Sequence, residues 1–198
     1  MERRRIFSFL IALLALSIGA AAIVLVEFPS SHPSDSVLSS NLFNHEASFN
    51  QLVKMATEDT ATLAVGTSYV ILKNTDGWPP YIYLYEDKPW PGTEAEVGFS
   101  KARWDAYRSL FTDLNLKMGL SRHEDMPDAI FFTASFDSSE IDDTGTAITD
   151  KGYVYSRKEI APHLNCLEGI EINRLAIFYR KLNHDWYLYY EWSVSKPE

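Results

Sequence analysis

Cysteine is almost absent from this sequence of 198 residues, since Cys166 is the only one. A single thiol cannot close a disulfide within the chain, so the fold has to be held by buried apolar surface even in an oxidising compartment. Hydrophobic residues make up 46% of the sequence and aromatic residues 14%. That composition supplies enough material for a core without cross-links.

Basic residues are scarce as well, with 18 of them against 27 acidic residues and a net charge of −9. Three of the arginines stand together at positions 3–5, and no cluster of lysine or arginine follows. The electrostatic field of such a chain repels nucleic acid and anionic lipid surfaces. We therefore predict no nucleic-acid partner.

The usual signatures of catalysis and metal binding are also missing. The sequence has no glycine-rich phosphate loop and neither an HExxH nor a GxSxG pattern. His163 and Cys166 supply only two ligands where a zinc site needs three or four. The acidic stretch 137–150 does not follow the order of ligands in an EF-hand loop. We therefore predict no catalytic residue, no metal ligand and no cofactor-binding residue.

One long apolar run is present near the N-terminus. Residues 6–26 contain no charge and are bounded by Arg5 and Glu27. As a helix, this run spans about 30 Å, the thickness of the hydrocarbon core of a bilayer. The arginines at 3–5 favour a cytoplasmic N-terminus. The pattern predicts a single-pass protein of the cell membrane, with a cytoplasmic stub (1–5), a signal-anchor transmembrane helix (6–26) and an extracytoplasmic remainder.

The N-terminal run also admits two other interpretations. Ala20 and Ala22 form an A-x-A pattern, which predicts a secreted or periplasmic product cleaved near Ala22. The apolar run continues through residues 23–26, and this continuation favours retention of the anchor. Residues 4–7 resemble part of a twin-arginine export signal, although their flanking positions fit that signal poorly. Each interpretation exports the same domain.

The remainder divides by composition into a linker and a domain. Residues 27–44 are rich in serine and proline and have few side chains able to pack, which predicts a linker. Residues 45–198 are numerous enough for one domain with its own core. We predict that this extracytoplasmic domain, in bacteria facing the periplasm or the outside, carries the function.

Hydrophobic periodicity in the predicted domain indicates both helices and strands. Residues 46–59 and 100–120 have apolar side chains at helical spacing, with Ser100 as an N-cap and Gly119 as an ending for the second helix. Strands are predicted at 67–73, 81–85, 129–136, 153–156, 174–182 and 186–192. A long acidic loop is expected at 137–151.

The order of these elements predicts an α+β fold. Strands that follow one another favour a mostly antiparallel sheet of about six strands, with two amphipathic helices packed on one face. Pro79 and Pro80 predict that the tyrosine-rich strand 81–85 lies near an edge of the sheet, because proline cannot donate to a central ladder.

The final hairpin contains the candidate binding residues. A turn centred on Asn183 and His184 would place Lys181 opposite Trp186 and give the hairpin one apolar face. Its other face would carry Phe178, Arg180, Tyr187 and Tyr189. These four residues form either an exposed aromatic and cationic surface for a sugar ring or a peptide, or a face covered by a helix.

The predicted function is a non-catalytic, membrane-anchored extracytoplasmic domain that binds a protein or an envelope component. One alternative is an exported hydrolase using His163 or His184 with nearby carboxylates. Another is an inhibitor or immunity-like protein whose acidic surface blocks a basic partner. A histidine within hydrogen-bond reach of a carboxylate, inside a concave pocket, would favour the hydrolase.

Overall fold

The helices and strands of the chain alternate only partly along the sequence. The computed structural model describes residues 32–74, 78–141, 145–161, 163–168 and 176–195. Within these ranges there are four helices, α1 (Asp35–Asn44), α2 (Glu46–Glu58), α3 (Glu94–Val97) and α4 (Lys101–Asp113). The strands are β1 (Thr62–Val65), β2 (Tyr69–Lys73), β3 (Tyr81–Tyr85), β4 (Gly119–His123), β5 (Met126–Ile141), β6 (Gly145–Ser156), β7 (Ala176–Lys181) and β8 (Trp186–Ser195).

The strands form one antiparallel sheet in the order β3-β2-β1-β4-β5-β6-β8-β7. The α+β architecture and the edge position of β3 confirm the predictions, but the described sheet has eight strands rather than about six. The strands that the periodicity missed are β1 and β4, both short. The expected loop at 137–151 is also wrong in large part, because β5 and β6 continue as a paired hairpin as far as Ile141 and Gly145.

Helix α4 forms as its apolar stripe predicts. Ser100 Oγ accepts a hydrogen bond from the backbone N–H of Arg103 at 3.0 Å, and Trp104 and Phe111 are buried on the inner side. The helix ends at Asp113, earlier than predicted. Gly119, expected as its ending, instead begins β4, where φ is +86° and a Cβ atom would lie 2.0 Å from the carbonyl oxygen of Val65.

The predicted linker is wrong from residue 35 onward, since α1 lies within it. Ser34 caps this helix by accepting a hydrogen bond from the N–H of Val37 at 3.3 Å. Leu38 and Leu42, one helical turn apart, are buried in the core. The serine-rich composition therefore supplies a cap and a solvated helix face. The compact unit begins at His32 rather than at residue 45.

The predicted transmembrane segment, 6–26, lies outside the described residues. Among the residues that are described, none of the helices is both long enough and apolar enough to cross a membrane.

Apolar side chains are buried on both faces of the sheet. The larger cluster lies between the helices and the sheet and includes Phe49, Trp104, Phe132, Tyr153 and Trp186. The smaller cluster covers the opposite face of the β5, β6, β8 and β7 half. Its members include Ala129, Phe131, Val154, Ile160, Tyr179, Tyr187 and Tyr189. This half of the sheet is therefore covered on both faces.

The final hairpin adopts a register one residue away from the predicted one. Lys181 pairs with Tyr187 and Arg180 with Leu188, so Arg180 lies on the face that also buries the tryptophan. The hydrophobic pattern disfavoured this register because it sets a charge against apolar groups. The charge is compensated by Asp35, whose Oδ2 lies 3.2 Å from Arg180 Nη1. A partner 145 residues away thus overrides the local pattern.

Candidate functional site

The four residues predicted as a binding surface do not lie together. Phe178 packs against the helix-side core, and Arg180 reaches Asp35 on the same side. Tyr187 and Tyr189 are buried in the cluster on the other face of the sheet. The Tyr187 hydroxyl accepts a hydrogen bond from the Ile160 N–H at 3.4 Å. That face is covered by the segment around Ile160, whereas the sequence suggested a helix as cover.

Both histidines predicted for a hydrolase lie at exposed positions. His184 Nδ1 lies 2.6 Å from Asp185 Oδ1, but its side chain is 94% exposed in the β7–β8 turn. His163 is exposed, and its backbone forms a bridge with Tyr179. Cys166 is exposed as well, and its Sγ accepts a hydrogen bond from the Glu168 N–H at 3.3 Å. The histidine–carboxylate contact is therefore present, but in a solvent-exposed turn.

A buried ionic cluster joins α1 to the sheet. Lys151 is 3% exposed, and its Nζ lies 2.8 Å from Asp35 Oδ1. Asp35 Oδ2 also accepts a hydrogen bond from the Leu167 N–H at 2.9 Å. Burial by itself would raise the pKa of Asp35, but the Lys151 and Leu167 hydrogen bonds and the charges of Lys151 and Arg180 hold that pKa below its usual value. Both cations share the Asp35 carboxylate, so the cluster acts as a structural clamp between α1 and the sheet.

His32 extends the clamp at the start of the folded unit. Its Nδ1 lies 2.7 Å from Ser135 Oγ and its Nε2 lies 2.8 Å from Thr149 Oγ1. Its ring also meets Tyr190 edge-on. Burial lowers the pKa of His32, which favours the neutral ring. Sequence reasoning missed these residues because both Asp35 and His32 fall in the stretch assigned to a linker.

Two carboxylates face each other on the opposite side of the sheet. Asp150 on β6 is paired directly with Glu191 on β8. Burial, together with the charge of Glu191, raises the pKa of Asp150 to about 6. Burial and the charge of Asp125 also raise the pKa of Glu191. No three side chains that could hold a metal ion converge in the described part of the chain. The arrangement is a like-charge pair that disfavours the ionised form of Asp150.

Strand β3 forms an open edge of the sheet. It pairs with β2 on one side, and no described strand lies on its other side. The hydrogen bonds from Glu86 N to Ser68 O and from Asn74 N to Pro80 O fix which residues of β3 face β2. Because bonded and non-bonded pairs alternate in an antiparallel ladder, the backbone N–H and C=O groups of Tyr81, Tyr83 and Tyr85 point outward.

These outward groups are largely without partners in the described ranges. The C=O of Tyr85 accepts a long hydrogen bond, 3.4 Å, from the Lys88 N–H. For Tyr81 and Tyr83, none of the described residues donates to the C=O or accepts from the N–H. The edge therefore presents two donors and two acceptors, spaced two residues apart, as one side of an antiparallel ladder.

Aromatic side chains accompany the open backbone groups. Tyr83 and Tyr85 are 51% and 39% exposed, and their rings stack with centroids 6.4 Å apart. Lys88 Nζ lies 4.5 Å from the centre of the Tyr85 ring. Trp78, just before the strand, is 89% exposed. Ile82 and Leu84, by contrast, face the core. We call Tyr81, Tyr83, Tyr85 and the outer side of their backbone the tyrosine edge.

Comparison with known proteins offers no analogue for this edge. No family model matches the chain, and no curated protein and no solved structure is similar to it. The function has to be inferred from the geometry of the described residues.

Proposed function

We propose that this chain is a membrane-anchored extracytoplasmic domain that binds an extended segment of a partner protein at the tyrosine edge. The observation that supports this proposal is the open ladder of Tyr81 and Tyr83 beside two exposed, stacked tyrosine rings. The uncharged run at 6–26 and the arginines before it support the anchor.

Strand addition explains why backbone and side chains are exposed together. An extended peptide that pairs with an edge strand gains main-chain hydrogen bonds, and alternate side chains supply selectivity. Sheet edges in natural proteins are normally protected by charge, proline, bulges or covering chain, because an open edge invites association. On β3 the positions that would carry protective charges carry tyrosines.

The tyrosine rings indicate the chemistry of the partner. Every second residue of an added strand would lie beside Tyr83 and Tyr85. Arginine and aromatic side chains stack favourably on such rings. The chain has a net charge of −9, which further favours a basic segment. We therefore expect an extended partner segment that carries arginine or aromatic residues at alternate positions.

Crosslinking capture from native membranes tests this proposal. The full chain, carrying an affinity tag, is recovered from membranes after a carbonate wash, which retains it only if it is anchored. Tyr83→Pro removes an outward N–H and leaves the bonds between β3 and β2 in place. We expect this variant to lose the captured partner, because one backbone carbonyl of the partner would lose its N–H donor and would meet the proline ring.

Two matched variants separate the contribution of the backbone from that of the ring. Tyr83→Phe retains both the N–H and the aromatic face and should capture the partner as the parent does. Tyr83→Ala retains only the N–H and should give an intermediate yield. Equal capture by Tyr83→Pro and Tyr83→Phe would contradict binding at this edge, and recovery of the chain in the carbonate supernatant would contradict the anchor.

A further inference from the structure

Arg122 and a cavity beside it lie away from the tyrosine edge, where strands β4 to β6 meet the end of α2. Arg122 on β4 donates a hydrogen bond from Nη2 to the carbonyl oxygen of Ala56 at 2.6 Å. This contact offsets the partial negative charge at the C-terminal end of α2. Arg122 Nε, by contrast, is buried and finds no acceptor among the described residues. A buried charged donor without an acceptor is unfavourable, so this arginine is only partly satisfied by the described residues.

A cavity of about 450 Å³ opens beside this guanidinium. Arg122, Arg157 and Lys158 line it, together with Thr57 and Thr60. Lys158 is neutralised by an ion pair with Asp128, another lining residue. Arg157 donates from Nε to the Tyr155 hydroxyl at 3.2 Å. Neither arginine forms an ion pair with a residue in the described ranges. Asp185 acts electrostatically on Arg157 but does not line the cavity, whose lining holds three cations and one acid.

The rest of the cavity lining is apolar. Ile130 and the ring of Tyr155 belong to the helix-side core cluster and its margin, and Pro127 adds a third apolar wall. In a chain with a net charge of −9, two arginines that form no ion pair beside one cavity are an unusual concentration of positive charge. An arginine fork matches carboxylate and phosphate groups, which can accept two parallel hydrogen bonds.

We propose that this cavity binds a small organic anion, a carboxylate or phosphate group on an apolar or aromatic body. Arg122 and Arg157 hold the anionic group, the Thr60 hydroxyl supplies a further hydrogen bond, and the apolar wall receives the body of the ligand. The last carbonyls of α2 oppose an anion, but the two full charges outweigh that partial charge. This site shares no residue with the tyrosine edge, so its test does not depend on the proposed function.

Calorimetric titration of the full chain tests the cavity with three probes: inorganic phosphate, phenyl phosphate and benzoate. Sodium chloride at equal ionic strength is the reference that separates binding from screening. We expect phenyl phosphate to bind at least about fivefold more tightly than inorganic phosphate, because its ring is buried against the apolar wall. A response to phenyl phosphate alone identifies a phosphate ligand, and a response to benzoate alone identifies a carboxylate ligand. Both outcomes support the proposal.

Variants locate the bound anion. Arg157 extends from an exposed position, so Arg157→Gln should leave the fold intact and weaken binding by about fivefold to tenfold. Arg122→Lys keeps the charge but loses the fork, and should also weaken binding. The matched control is Lys54→Gln, which removes one positive charge from the exposed side of α2, away from the cavity. The proposal is overturned if no probe binds above the chloride reference, or if Arg157→Gln and Lys54→Gln bind equally well.

Discussion

The two edge strands of the sheet, β3 and β7, direct their backbone groups in the same way, but only at β7 do these groups meet hydrogen-bond partners. Tyr179 on β7, like Tyr83 on β3, directs its backbone groups away from the neighbouring strand. At the β7 edge the C=O of Tyr179 accepts a hydrogen bond from the Leu164 N–H at 2.6 Å, and His163 forms a bridge with the same residue. At the β3 edge the C=O and N–H of Tyr83 have no partner among the described residues.

The difference extends to the side chains. Tyr179 is buried in the smaller core cluster, and its hydroxyl donates to Met126 Sδ at 3.4 Å. Tyr83 is half exposed and contacts another exposed tyrosine. One edge is therefore completed by the chain's own residues, whereas the other presents the same groups to solvent. The fold is thus able to close an edge with its own residues, so the open edge is the better candidate for binding.

The largest expected effect comes from a truncation in the closed half of the sheet. Trp186 is buried and its ring contacts Phe49, Phe132 and Tyr155. Trp186→Ala should lower the free energy of unfolding by about 3 to 5 kcal/mol, because a large cavity replaces the indole. Tyr83→Ala at the open edge should change it by no more than about 0.5 kcal/mol. Urea denaturation measures both, and similar losses would contradict the contrast between the edges.

Neutralising Asp35 should have the next largest effect. Asp35→Asn leaves the buried Lys151 ammonium without its counterion, and unfolding free energy should fall by about 3 kcal/mol at pH 7. Because the pKa of Asp35 is lowered by folding, its contribution is present above the ordinary aspartate range and is lost as the pH falls below it. Parent and variant should therefore converge in stability on acidification. A constant difference down to pH 3 would contradict the clamp.

Replacing Asp150 should have a smaller effect on the free energy of unfolding, and of opposite sign. Folding raises its pKa from 3.8 to about 6. Proton binding by Asp150 therefore contributes its full stabilisation below pH 3.8, and this stabilisation is lost as the pH rises through 6. Asp150→Asn should therefore stabilise the chain at pH 7.5 by about 1 kcal/mol, after allowance for solvent screening, and have little effect near pH 4.

Thermal or urea denaturation at the two pH values measures this effect. Asp105→Asn, which changes an exposed acid on α4, is the matched control and should show no comparable dependence on pH. Destabilisation by Asp150→Asn at pH 7.5 would show that Asp150 and Glu191 do not repel each other.

Local sequence signals predicted the parts of the fold that depend on neighbours along the chain. The spacing of Trp104 and Phe111 predicts helix α4, and Ser100 is correctly predicted as its N-cap. Pro79 and Pro80 indicated that 81–85 is an edge strand, so the position of the tyrosine edge could be read from the sequence. The sequence does not predict that the edge stays uncovered by the rest of the described chain. Whether an edge is covered depends on the paths of segments that are distant in sequence.

Other features were missed because tertiary contacts decide them. β1 and β4 are too short for a periodic signal, and each is defined by its neighbours in the sheet. Leu38 and Leu42 look isolated among serines until the sheet supplies a surface for α1. The register of the last hairpin depends on Arg180 finding Asp35, a contact that no local pattern contains. For the same reason the four predicted binding residues do not share one face of the hairpin. Phe178 and Arg180 lie on the helix side of the sheet, whereas Tyr187 and Tyr189 lie on the opposite side.

Site-specific photo-crosslinking compares partner binding at the two edges of the sheet in the membrane. A benzoylphenylalanine replaces either Tyr83 or Leu164 in the full chain in its native membrane; the two side chains are 51% and 39% exposed. We predict a protein adduct from position 83, its loss when Tyr81→Pro is added, and no adduct from position 164. Adducts of equal yield from both positions, or an adduct at 83 that survives Tyr81→Pro, would contradict the claim that the open edge is the binding surface.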